Sequence, residues 1–175
     1  MQRDQIVTFW GSQSPLSNWN LSTFVWNDIG FNCGEQYMMY RKAMLFGDHE
    51  TAAEILAEKD PARQKALGRK VRGFVKEVWD AWCIPFMVEG LLAKFNQNAR
   101  HREFLLATDD KFIIEASPKD TIWGAGLAAH DNRILDERAW PGENRLGMVL
   151  MCVRTALRLL FPARKPVYSQ ETLFG

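Results

Sequence analysis

The sequence predicts a helix-rich α+β fold, a single domain with a few short antiparallel strands, on three observations. Its 175 residues are the length of one domain. Strand-like segments are short and gather near the N-terminus, while apolar residues in the second half recur at helical spacing. Strand and helix do not alternate along the chain, so a parallel α/β sheet is not expected. The domain should span residues 1–162, with 163–175 as a peripheral C-terminal tail.

Taken in order, residues 5–10 read as a strand, and 11–20, rich in Ser, Asn, Gly and Pro, as a loop. Residues 24–26 and 30–32 flank Asn27-Asp28, a hairpin with a tight turn. A helix should follow at once: Asn32 caps it, Glu35 stands three residues on, and the run 36–46 ends at Gly47. A second short helix covers 50–57. Asp60-Pro61 opens a third, through Ala66 towards Arg72, in the cap-then-proline order. Over 76–97 the spacing of Val78, Trp79, Trp82, Phe86, Leu91 and Phe95 is helical, and Pro85, lacking a backbone donor, should bend or divide the segment. A short helix at 100–107, a strand at 111–116 and a glycine-bearing turn at 120–126 come next. A long helix at 143–161 closes the chain, with Leu146, Val149, Leu150, Val153, Leu157 and Leu160 on one broad face.

Composition excludes several classes of function. Twenty-two basic and 21 acidic side chains leave a formal charge of +1, so no global field draws the chain to nucleic acid or to a membrane. Any phosphate site must be local, and Arg69, Lys70, Arg72 and Lys76 are candidates for a basic face. Cys33, Cys83 and Cys152 are odd in number and lack metal-ligand spacing, which suggests neither a disulfide framework nor zinc. The expectation is a cytoplasmic protein, because residues 1–10 carry charges without an apolar run of signal length and no stretch reaches membrane-span length. There is no phosphate-binding glycine loop and no dinucleotide fingerprint. His49, His101 and His130 have no metal or triad spacing, so no metal and no cofactor is expected. Cys33 precedes a helix but has no evident base, and reads as a packing residue. No feature fixes an oligomeric state.

Three places can carry chemistry. Glu35 and Lys42, seven apart, lie two turns apart on nearly one helix face, an acid and an amine together; the plain alternative is a capping-box partner for Asn32 and a solvated lysine. Asp120 stands in Asp-Thr-Ile-Trp-Gly-Ala-Gly, where glycines let backbone amides approach a ligand; the alternative is a turn-capping Asp before a buried Trp123. Asn144 opens the closing helix, whose first amides favour an anion; the alternative is a simple N-cap.

In this order the sequence resembles the NADAR, or YbiA-like, family. The matching words include Pro15-Leu16-Ser17-Asn18, Glu35-Gln36-Tyr37 with Lys42-Ala43 and Gly47-Asp48, Asp60-Pro61 and Leu67-Gly68-Arg69. Lys94-Phe95, Glu115-Ala116, Asp120-x-x-Trp123-Gly124-x-Gly126 and Trp140-x-Gly142-x-Asn144-x-Leu146-Gly147 follow in register. The resemblance covers about residues 8–160. It departs at Tyr37-Met38-Met39-Tyr40, where the family more often shows a second aromatic and a Gln-Ala pair, so the base-side pocket is expected to differ.

The resemblance implies an N-glycosidase acting on a ribose C1–N bond. Its substrate would be a phosphorylated ribosylamine of riboflavin biosynthesis or an ADP-ribosyl group on guanine in DNA or RNA. It implies Glu35, Lys42 and Asp120 as catalytic residues. Asn18, Trp123, Gly124, Gly126 and Asn144 would line ribose and phosphate, with Phe31, Trp79, Lys94 and Phe95 also at the substrate. Lys42 could serve as a cation, a phosphate ligand or a Schiff-base amine. A nucleotide-binding module without turnover is the non-enzymatic alternative.

Overall fold

The computed structural model describes residues 1–162; the tail expected at 163–175, with Lys165, Tyr168 and Phe174, lies outside the described residues. The hairpin forms as its turn chemistry dictates. Strands β2 (Phe24–Trp26) and β3 (Ile29–Phe31) pair antiparallel. Asn27 and Asp28 take φ of 47° and 62°, the left-handed pair that matches strand twist and that Asn and Asp tolerate. Phe24 and Phe31, opposite each other, stack at 5.7 Å, and Phe31 meets the Tyr37 ring edge-on at 5.1 Å.

The other strand pair corrects the expectation of antiparallel strands alone. β1 (Ile6–Phe9) and β4 (Phe112–Glu115) pair in parallel, Ile6 opposite Phe112 through Phe9 opposite Glu115. Parallel neighbours need a long crossover, and five helices lie between them in sequence. Two two-stranded sheets in a mainly helical domain keep the helix-rich α+β class.

Helix α1 (Gly34–Leu45) is the centre of the core, with Tyr37, Met38, Met39, Tyr40 and Ala43 buried. It packs against α2 (His49–Ala57), α3 (Pro61–Gly68) and α4 (Lys76–Gln97). Two glycines admit its large side chains. A Cβ on Gly90 of α4 would stand 2.3 Å from the Tyr37 ring, and one on Gly68 of α3 would stand 2.0 Å from the Met39 sulfur.

Pro85 does not divide α4, which runs unbroken from Lys76 to Gln97. One missing backbone bond and a ring clash cost about 3 kcal/mol. Phe86, Met87, Leu91 and Phe95, all buried just beyond the proline, each return roughly 1.5–3 kcal/mol. Helix α5 (Ala99–Leu106) follows, and α6 (Arg145–Leu160) closes the described chain with the expected face buried from Leu146 to Leu157. Leu160, placed on that face by periodicity, is exposed in the last turn.

Candidate active site

The site begins where α1 begins. Cys33, not Asn32, is the N-cap residue, its sulfur accepting from the Gln36 amide at 3.5 Å. Burial pushes the Cys33 thiol up to about 11, which suits the packing residue expected and not a nucleophile; its capping role was expected of Asn32. Gln36 makes the reciprocal contact: its Oε1 accepts from the Asn32 amide at 2.7 Å and its Nε2 donates to the carbonyls of Ile55, Leu56 and Glu58. The capping role considered for Glu35 is therefore filled one residue later. Glu35 turns inward instead, 5% exposed, and accepts from Trp19 Nε1 at 3.2 Å.

The loop before β2 is held over this helix start. The Glu35 amide donates to Asn18 O at 2.9 Å, and a Cβ on Gly34 would stand 2.9 Å from Asn18 Oδ1. Lys94, wholly buried on α4, fastens the loop by donating to Pro15 O at 3.0 Å and Ser17 O at 2.9 Å. Burial lowers its ammonium to about 7.

Behind Trp19 lies a small cavity, partly open to solvent, lined by Asn18, Glu35, Lys65, Glu115, Asp120 and Trp123 together with Met38 and Met39. Burial pushes the Glu35 carboxyl up to about 7, with Lys65 and the Trp19 hydrogen bond pulling against it and the Asp120 charge adding to it. Glu115 is also pushed up to about 7, by burial first and then by Asp120, with Lys65 opposing. Its Oε2 is buried and has no hydrogen-bond partner. Asp120 is fixed differently: Oδ1 accepts from the amides of Ile122 and Trp123 at 3.1 and 2.8 Å, and Oδ2 stands 3.7 Å from Lys65 Nζ.

The cavity continues outward. Met38, Met39, Lys65, Asp120 and Trp123 also line a wider mouth completed by Lys42, Arg69, Lys119 and Trp79. Lys42 Nζ donates to Gly68 O at 2.8 Å and stands 4.2 Å from the Phe74 ring centroid. Burial, and then the nearby Arg69, lower its pKa. Four cations thus surround the mouth, the local positive charge that the neutral chain required. Of the four residues considered for a basic face, only Arg69 is there. Arg72 is paired with Asp48 and Glu50, and Lys76 with Asp80.

Asn144 and the glycines of the 120s loop are engaged in packing. Asn144, at φ 51°, uses its side chain to bridge the Glu115 amide at 2.9 Å and Ile113 O at 2.9 Å, and it makes no side-chain cap. The amides of Glu143, Asn144, Arg145 and Leu146 donate to the carbonyls of Thr121, Gly124, Ile122 and Trp123. The amides expected to receive an anion at the start of α6 are thereby spent. A Cβ on Gly124 would stand 2.9 Å from Asp120 O, and one on Gly126, at φ +72°, would stand 2.7 Å from Pro141 Cγ. These glycines make room for neighbouring protein atoms, backbone at Gly124 and chiefly the Pro141 ring at Gly126.

The structure therefore brings Asn18, Glu35, Asp120 and Trp123 to the inner cavity and Lys42 and Trp79 to its mouth. It does not bring Phe31, Lys94, Phe95, Gly124, Gly126 or Asn144 there. Phe31 and Phe95 are core side chains, because an aromatic at helical or strand spacing buries more area in the core than at a pocket wall. Sequence reading missed Trp19, Lys65, Glu115 and Lys119. Only Glu115 left a trace, as part of the family word Glu115-Ala116 and as a charge ending the apolar strand Phe112-Ile113-Ile114, without a site role being drawn from it. Among the described residues, no group of three or more His, Cys, Asp or Glu side chains is arranged to hold a metal ion, and no helix is long and apolar enough to cross a membrane.

Residues 8–158 match the family model described as the NADAR domain. "Protein irg-1" of Caenorhabditis elegans is 45% identical over 150 residues, 83% of this chain and 70% of that protein. "N-glycosidase R617" of Acanthamoeba polyphaga mimivirus is 45% identical over 120 residues, 69% of this chain and 71% of that one. "Riboflavin biosynthesis protein VVA0006" of Vibrio vulnificus is 31% identical over 130 residues, 74% of this chain but 32% of its own length. The NMR structure of the Escherichia coli protein YbiA superposes with a TM-score of 0.75 at 24% identity, covering 97% of this chain and 94% of that one.

Proposed function

The chain belongs to the NADAR family and is a hydrolase of N-glycosyl bonds, and from that premise we propose that it cuts the C1–N bond of a phosphorylated ribose, with Glu35 and Asp120 as the working carboxyls. One observation carries the reading: a buried carboxyl titrating near neutrality shares a cavity with a carboxylate fixed by two amides, and that cavity opens onto a rim of four cations. Breaking a ribosyl C–N bond passes through an oxocarbenium-like sugar and needs a proton for the departing nitrogen. Glu35, at about 7, holds that proton in a substantial fraction of molecules at neutral pH, which suits a general acid. Asp120 supplies fixed negative charge for the cationic sugar. Lys65, Arg69 and Lys119, with Lys42, hold the phosphate at the mouth.

Two roles for Lys42 each have an observation behind them. Its place among the rim cations favours a phosphate ligand, and its lowered pKa favours a free amine that attacks an opened sugar aldehyde. Borohydride added during turnover separates them: a covalent sugar adduct on Lys42 supports the imine, and turnover without an adduct supports the cation.

Two substrate classes contain the required bond, a phosphorylated ribosylamine and an ADP-ribosyl guanine in nucleic acid. The likeness to a riboflavin biosynthesis protein supports the first. Incubating the protein with each and following release of ribose phosphate or ADP-ribose by mass decides between them. Turnover of neither would leave a nucleotide-binding module and overturn the proposal.

A further inference from the structure

Three carboxyls line the inner cavity, and two have partners. Glu35 accepts from the Trp19 indole, and Asp120 from two amides beside the Lys65 ammonium. Glu115 differs. Its main chain is tied on both sides: its amide donates to Asn144 Oδ1 at 2.9 Å, and its carbonyl accepts from the Ser117 and Ala125 amides, each at 2.9 Å. A Cβ on Gly124 would stand 3.0 Å from that same carbonyl, so the neighbouring loop closes directly over it. β4, the 120s loop and the residue before α6 thus meet at one backbone position, which fixes where the side chain starts. Yet Oε2, at the other end, is shut off from solvent and bonded to nothing.

A buried oxygen without a partner costs roughly 1–3 kcal/mol. A carboxyl kept in the wall of a cavity at such a cost, with no protein partner for its buried oxygen, calls for a functional explanation. The ligand's chemistry is constrained by the surroundings. A phosphate is disfavoured beside three carboxyls and has the cationic mouth to occupy. On the reading above, the departing nitrogen belongs to Glu35. What remains on a pentose at this cavity is hydroxyl, a donor suited to the carboxyl of Glu115 where it lines the wall. Hydrogen bonds to the hydroxyl beside the anomeric carbon tighten as a glycosyl bond breaks.

We propose that Glu115 is the sugar-reading residue of the site, the cavity side of its carboxyl accepting from the ribose 2-hydroxyl and so selecting ribosyl over 2-deoxyribosyl substrates. The proposal rests on the glycosidase reading. It predicts a preference opposite to intrinsic reactivity, because the electron-withdrawing 2-hydroxyl makes an N-ribosyl bond slower to break than a 2-deoxy bond.

The test measures kcat/KM for an N-linked ribose 5-phosphate and for its 2-deoxy counterpart with wild type, Glu115→Gln and Glu115→Ala. The ratio between substrates is the readout, since a partly folded preparation lowers both rates equally. Wild type should prefer the ribosyl substrate by roughly 100-fold, as a site built around one hydroxyl does. Glu115→Ala should abolish that preference mainly through the ribosyl rate. Glu115→Gln, which keeps an acceptor oxygen, should retain part of it. Equal wild-type rates, or a ratio unchanged in Glu115→Ala, overturn this inference and leave the glycosidase reading intact. Turnover of neither of these nor of an ADP-ribosyl guanine overturns both.

Discussion

Replacing Glu35 with Gln should make the protein inactive and more stable at once. The folded Glu35 carboxyl is held at about 7 against an ordinary 4.5, a gap of about 2.5 pH units. At about 1.36 kcal/mol per unit, the fold disfavours the ionised form by roughly 3 kcal/mol. The sign follows from proton binding. Below pH 4.5 both folded and unfolded chains hold the proton, and there is no penalty. Between 4.5 and 7 the unfolded chain releases it first, so stability falls as pH rises, and the full penalty is present above 7. Gln carries no ionisable group, and its Oε1 can still accept from Trp19. The Trp19 bond to the ionised form is already contained in that gap, so with Gln standing in for the protonated acid the gain is roughly 3 kcal/mol. For a chain of this length that raises Tm by about 6–12 °C at pH 8 and by almost nothing at pH 4.5. Glu115 titrates over the same window but is common to both proteins and cancels to first order. Thermal unfolding at the two pH values, with turnover assayed in parallel, checks the reasoning. A variant no more stable than wild type at pH 8, or one active within tenfold, would refute it.

Asp120→Asn keeps the oxygen that caps the 122–123 amides and loses the charge, so kcat should drop by about 100-fold or more with little change in Tm; unchanged kinetics would reduce Asp120 to a turn-capping residue. Trp19→Phe removes the donor that favours ionised Glu35, and the alkaline limb of the kcat/KM profile should move up by about one pH unit. A limb that stays in place would show that Glu35 is not the group being read. Arg69→Ala combined with Lys119→Ala should raise KM for a phosphorylated substrate by tenfold or more, less so at high salt, with kcat preserved. An equal effect on a dephosphorylated substrate would place the phosphate elsewhere.

What the sequence determined by itself was local. Asn27-Asp28 specified its hairpin, Asp60-Pro61 its helix start and Gly47, at φ +70°, its helix end, because each feature is decided by backbone preferences within a few residues. Glu35, Lys42 and Asp120 were legible as candidates through residue type, helical spacing and the family's words, and they do reach one cleft and its mouth. Only the tertiary structure decided which polar groups near them are satisfied. Gln36 took the cap considered for Glu35, Asn144 and the α6 amides were spent on the 113–124 backbone, and Lys94 went to the loop above the site. Glu115 and Lys65, 50 residues apart in sequence, became neighbours of Asp120. Burial and charge proximity set a carboxyl's pKa, and both depend on contacts between distant segments, which periodicity along one segment does not encode.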